Sequence, residues 1–208
     1  MLSRLARQRV RTGFAVLVLV VALFGLGIAA YAMQVRASAR ALVDSARGIH
    51  TTADAEREIA SWRKRLGKEF WMESDHLGGD HNYDGVIDNL SIARLGILEP
   101  AGVMLGVTMR GGELRCLTLT MTTGRTPSTT AHVWVQEWFD SDKSSHFHVV
   151  HKDKPLGAVV EFSTSAPEAQ RTKALDLNTK CFVQFNGCKS AEDILPFVWR
   201  LGPAESPD

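Results

Sequence analysis

Gly13 to Met33 is an unbroken run of 21 uncharged residues, and Phe14 to Ile28 has no polar side. A helix rises 1.5 Å per residue, so the run is about 31 Å long, close to the hydrocarbon thickness of a bilayer. The pattern predicts a transmembrane helix over 13–33 behind a tail of residues 1–12. Val35 to Arg47 continues as an alanine- and arginine-rich helix with Leu42, Val43 and Ala46 on one side, stopped by Gly48. Thr51 and Asp54 mark a second helix start. Ile59, Trp62 and Leu66 form its apolar stripe. Residues 34–73 thus read as a helical segment following the anchor.

The period then shortens. Ser74 to Gly85 holds three glycines, three aspartates and two histidines and reads as loop. Beyond it, Val103, Leu105, Val107 and Met109 alternate with smaller or polar residues, Gly111-Gly112 is a hairpin signal, and Leu117, Leu119 and Met121 alternate with threonines. Further strands are expected over His132–Phe139, His146–Val150, Leu156–Phe162 and Cys181–Phe185. A short helix is expected at Pro167–Leu175 and a last one from Ala191 to about Arg200, interrupted near Pro196. Short loops between strands, and helices gathered before and after them, define an α+β fold: an antiparallel β-meander of four to six strands with a C-terminal helix, over residues 74–201, and a tail at 202–208.

Charge sets the expected topology. Arg4, Arg7, Arg9 and Arg11 precede the apolar run with no acid among them, while Arg36, Arg40 and Arg47 follow it, diluted by Asp44. Positive flanks stay in the cytoplasm. The chain is therefore expected to lie in the cell inner membrane with its N-terminus cytoplasmic and its C-terminal domain periplasmic or extracellular. Two other readings compete for the same segment. Ala30-Tyr31-Ala32 fits a signal-peptide cleavage pattern, though the apolar stretch is long for one. Gly13-Phe14 opens an apolar helix as in pilins, but Val18 stands where their processing motif carries glutamate. Gly25 and Ala29 form a small-xxx-small pair that suits helix pairing, or is ordinary usage in a membrane helix. Residues 1–33 hold four of the basic groups, leaving 20 basic against 23 acidic in the rest, so nothing argues for a nucleic-acid partner.

Three groups of residues are candidates for chemistry. Asp80, Asn82, Asp84, Gly85, Ile87 and Asp88 fit places in an EF-hand or dockerin calcium loop, but Ser91 stands where the bidentate acid belongs. The segment reads either as a weak calcium site or as a polar turn entering a strand. His146 and His148 project to one face of a strand, His151 to the other, and His132 is a geometric candidate for a third zinc ligand from a neighbouring strand. The alternative is a solvated face. Cys181 and Cys188 flank an Asn186-Gly187 turn and are expected to form a disulfide outside the cytoplasm, with Cys116 left as a core residue. Glu113, Glu137 and Glu161 sit singly on separate strands, and no known hydrolase, metalloprotease or nucleotide-binding motif is present.

Two stretches carry a resemblance. One is Asp88-Asn89-Leu90 through Leu95 and Leu98-Glu99-Pro100, leading to Val103 and Gly111-Gly112. The other is Cys181, Gly187-Cys188, Leu195-Pro196 and Trp199. Behind an N-terminal anchor they are similar to an uncharacterised family of bacterial single-pass membrane proteins. The resemblance implies no activity. It implies that Asp88-Asn89 enters the β-domain, which favours the turn over the calcium loop. The expected function is a membrane-anchored extracytoplasmic binding or assembly domain with an unknown protein or envelope partner. The alternatives are a calcium-dependent adhesion or sensing module through 80–88, and a metal-dependent enzyme using the histidine-bearing strands.

Overall fold

The computed structural model describes residues 2–66, 70–74, 80–139, 148–152, 154–196 and 198–201, with backbone alone at 2–10, 70–74, 80 and 148–152. The expected turn at 140–142, His146 and the tail at 202–208 lie outside the described residues. The fold is α+β, as the pattern predicts.

The expected anchor and the first expected helix are one element. Helix α1 runs Leu2–Gly48, 47 residues, with neither glycine nor proline between Ile28 and Arg47 to interrupt it. Its N-terminal part is long and apolar enough to cross a membrane. Its C-terminal part is a core element: Val35, Ala39, Leu42, Val43 and Ala46 are all buried. Helix α2, Thr52–Leu66, packs Ala55, Ile59 and Trp62 into the same cluster. The helices over residues 34–66 share one hydrophobic core with the sheet.

Among the described residues the sheet has seven strands: β1 (Phe70–Ser74), β2 (Asp80–Asp88), β3 (Ala101–Arg110), β4 (Glu113–Thr123), β5 (Ala131–Trp138), β6 (His148–Lys152) and β7 (Gly157–Ser163). Their order is β1-β2-β3-β4-β5-β7-β6. β1 to β5 form an antiparallel meander; β3, β4 and β5 are the strands expected of it, whereas β1 falls at the end of the segment read as helical. The last hairpin departs from it: β7 lies parallel to β5 and β6 is outermost, so the sheet is mixed. The segment between β2 and β3 holds one helical turn, α3 (Leu90–Ala93). Helix α4 (Glu168–Ala174) follows β7.

Three local expectations are corrected. Residues 80–85 are strand, not loop. Cys181 lies in a 3-10 helix, Thr179–Phe182, whose start is capped by the Asn178 carboxamide accepting from the Lys180 amide, rather than in a strand. The last expected helix is two short pieces, α5 (Ala191–Ile194) and a 3-10 turn, Val198–Arg200, on either side of Pro196.

Candidate functional surface

The sheet has two unlike faces. Strand alternation sends Val103, Leu105, Leu119, Met121, Val133, Val135 and Val160 into the buried cluster with the helices. The opposite face carries the other phase. Its register sets Asp84, Gly106, Thr118, Gln136 and Glu161 in one row, and Val86, Met104, Thr120, Trp134 and Val159 in the next. Trp134 is 42% exposed there, an unusual state for so large an apolar ring. Hydroxyls and carboxamides beside an indole plane give this surface hydrogen-bonding and stacking capacity together.

Three of the candidate calcium ligands, Asn82, Asp84 and Asp88, fall on this face, along β2, and Asp80 begins the same strand. Strand geometry puts alternate residues roughly 6–7 Å apart, so Asp80, Asn82, Asp84 and Asp88 are strung out along the strand and do not converge on one point. The Asp80 side chain lies outside the described residues. Asn82 Oδ1 accepts from Thr108 Oγ1 at 2.8 Å, and Asp88 Oδ1 accepts from the Leu90 amide at 3.0 Å. Gly85 is held to glycine by packing. A Cβ there would lie 3.0 Å from Leu66 Cδ1 and 3.3 Å from Leu42 Cδ1, so it lets both helices approach the sheet.

The histidine set is separated too. His132 aligns with Gly157 and His148 with Glu161, on opposite sides of β7 and four positions apart along it. The strands bearing them are not neighbours, contrary to expectation, and His146 lies outside the described residues. Among the described residues no group of three or more His, Cys, Asp or Glu is placed to hold a metal ion.

Cys181 and Cys188 do meet, at disulfide distance with Cα atoms 5.2 Å apart. Cys116 is buried and takes no part in this disulfide. The Thr123 hydroxyl donates to the Cys188 carbonyl, tying the bonded segment to the end of β4. Asn89, fully buried, ties it to the start of β3. Its Nδ2 donates to the carbonyls of Glu99 (3.0 Å) and Phe182 (3.3 Å), and its Oδ1 accepts from the Ala101 amide at 2.8 Å.

One buried cluster escaped the sequence reading. Arg171 on α4 and Glu137 on β5 form an ion pair with side chains 5% and 2% exposed. The same guanidinium donates to the carbonyls of Ala46, Arg47 and Ile49, which close the C-terminal end of α1. A cation belongs at that end, where unpaired carbonyls concentrate negative potential. Burial pushes the Glu137 carboxyl above its ordinary range, and the hydrogen bonds and charge of Arg171 only partly offset that. The signal was in the phase: Glu137 follows Val133 and Val135 on the inward face of β5.

Comparison with protein-family models, with curated proteins and with solved structures found no match.

Proposed function

We propose that the chain is a single-pass, membrane-anchored binding or assembly module of the inner membrane. Its N-terminus lies in the cytoplasm, and its open sheet face is turned to a partner in the cell envelope. The observation that carries this reading is the continuity of α1. One helix is apolar and uncovered from Phe14 to Gly27, and over Val35–Ala46 it is built into the core of the β-domain. The domain is thereby coupled to the anchor without a flexible linker, an arrangement suited to holding a recognition surface at a set attitude to the membrane. The face presenting Trp134 among threonines supports recognition through that surface.

Topology is tested by a tag after Asp208 in intact spheroplasts. External protease removes it if the domain is outside; protection overturns the orientation. Recognition is tested by placing a photo-crosslinking residue at Thr120, on the open face, and at exposed Lys64 on α2. Adducts in cells from Thr120 alone support the reading. Adducts from Lys64 alone, or from neither, count against the open face.

A further inference from the structure

The apolar run of α1 is not wholly free to meet lipid. Ala32 is buried in a small cluster with Ile92 and Leu98, and Ile28, Ile97 and Val183 pack on it. Ile28 and Ala32 lie inside the 13–33 run, so the segment between β2 and β3 docks against the last part of the membrane-crossing sequence itself. If the bilayer ended before Ile28, only residues 13–27 would remain in it, about 22 Å of helix against roughly 30 Å of hydrocarbon. The span is long enough only if the bilayer reaches the level of Ile92 and Leu98.

The surface next to this contact is apolar. Beyond Met33, the exposed large apolar side chains among the described residues are Leu90 (41%), Leu95 (59%), Trp134 (42%) and Phe185 (70%). Three of these four belong to the segments that supply the cluster, 90–98 and 183–185. Those segments are held stiffly. Asn89 fixes the base of the first to β3 and to Phe182, the Arg125 guanidinium donates to the Leu98 carbonyl at 3.0 Å, and Gly187 lets the second approach Glu99 closely. Arg36, one turn past the run, and exposed Arg94 place cationic groups at headgroup depth.

We infer that Leu90, Leu95 and Phe185 form a wedge that enters the lipid interface of the bilayer the chain's own α1 crosses, seating the domain directly on the membrane surface. The inference rests on the membrane-spanning reading of α1. Apolar side chains on a rigid edge at that depth lose less by contacting acyl chains than by facing water. The far end of the sheet points away: the Leu114 amide bonds to Thr52, beyond the end of α1, so the β3–β4 turn at Glu113 lies at the distal end.

Spin labels test this on the full chain in vesicles of phosphatidylethanolamine and phosphatidylglycerol with no other protein present. In a Cys116→Ser background, Leu95→Cys and Phe185→Cys report the wedge, Val21→Cys the span and Glu113→Cys the distal end. The inference expects the ratio of oxygen to water-soluble nickel accessibility at 95 and 185 to exceed that at 113 severalfold, with 21 higher still. If 21 reads as bilayer interior while 95 and 185 match 113, the wedge is overturned and the span stands; a patch reserved for a protein partner gives this result. If 21 matches 113, the span itself fails and the wedge with it.

Discussion

Arg171 grips Glu137 through two hydrogen bonds, Nε to Oε1 at 2.7 Å and Nη2 to Oε2 at 2.9 Å, with both side chains nearly excluded from water. The pair joins β5 to α4. Through the carbonyls of Ala46, Arg47 and Ile49 the guanidinium also joins both to the end of α1. The contact that closes the β-domain is thus also a contact with the helix whose N-terminal part is long and apolar enough to cross a membrane. Removing one member of a buried pair strands the other's charge, at a cost of about 3–5 kcal/mol. Arg171→Met strands the carboxylate and also uncovers three carbonyls, so it should cost about that much in the full chain in detergent, read by chemical denaturation. Glu137→Gln leaves the guanidinium on its carbonyls and should cost clearly less. Equal losses would show that the α1 carbonyls contribute nothing.

Gly85 offers a test of how closely the helices seat on the sheet. A side chain there must displace Leu66 and Leu42, and Trp62 Cε3 lies 3.8 Å away. Gly85→Val should destabilise by about 1–3 kcal/mol through overpacking. The same substitution at Gly102, on the open face, meets nothing closer than 3.8 Å and should cost less. Similar losses at both positions would mean that strand propensity, rather than helix contact, sets the requirement at 85.

The cysteine pair makes a chemical prediction. Protein exported to an oxidising compartment, denatured without reductant, should titrate one thiol, Cys116; three would refute the bond. The closed loop is short, so reduction should cost about 2–3 kcal/mol. The loss should appear around Asn89 and Thr123, which hold the bonded segment.

Periodicity carried most of what was legible. The apolar run, the stripes of α1 and α2 and the alternation of β3, β4 and β5 were readable because each buries one face with a definite period. β2 was not, although it alternates: Tyr83, Gly85 and Ile87 face the core while Asn82, Asp84 and Asp88 face out. Asp, Asn and Gly are poor strand formers, and their density outweighed the phase. The Cys181–Phe185 run is too short for periodicity to separate strand from helix, and Asn178, which caps a turn there, was the better guide. The parallel placement of β7 beside β5 leaves no local trace, since loop length admits either hairpin order. The Arg171–Glu137 pair joins residues 34 positions apart, and only the inward phase of Glu137 hinted at it.

The start of α2 provides a pH prediction. Asp54 accepts a hydrogen bond from the Thr51 hydroxyl at 2.9 Å and from Arg57 at 2.6 Å, and Thr51 in turn accepts from the Asp54 amide at 3.2 Å. The Thr51 bond first and the Arg57 bond second hold the Asp54 carboxyl below its ordinary value of 3.8. A carboxyl held lower in the folded state stabilises that state when ionised. The stabilisation is complete above the unfolded value and disappears as pH falls through the folded one. Asp54→Asn abolishes it at every pH. The difference in stability between the parent chain and Asp54→Asn should therefore be constant between about pH 7 and 5, shrink as pH falls below about 4, and level off once Asp54 is protonated in both states. Arg57→Ala should narrow the neutral-pH difference, because it removes one of the three hydrogen bonds that favour the anion, the others coming from the Thr51 hydroxyl and the His50 amide. A difference that stays constant or grows in acid would show that Asp54 acts there as a polar cap rather than through its charge.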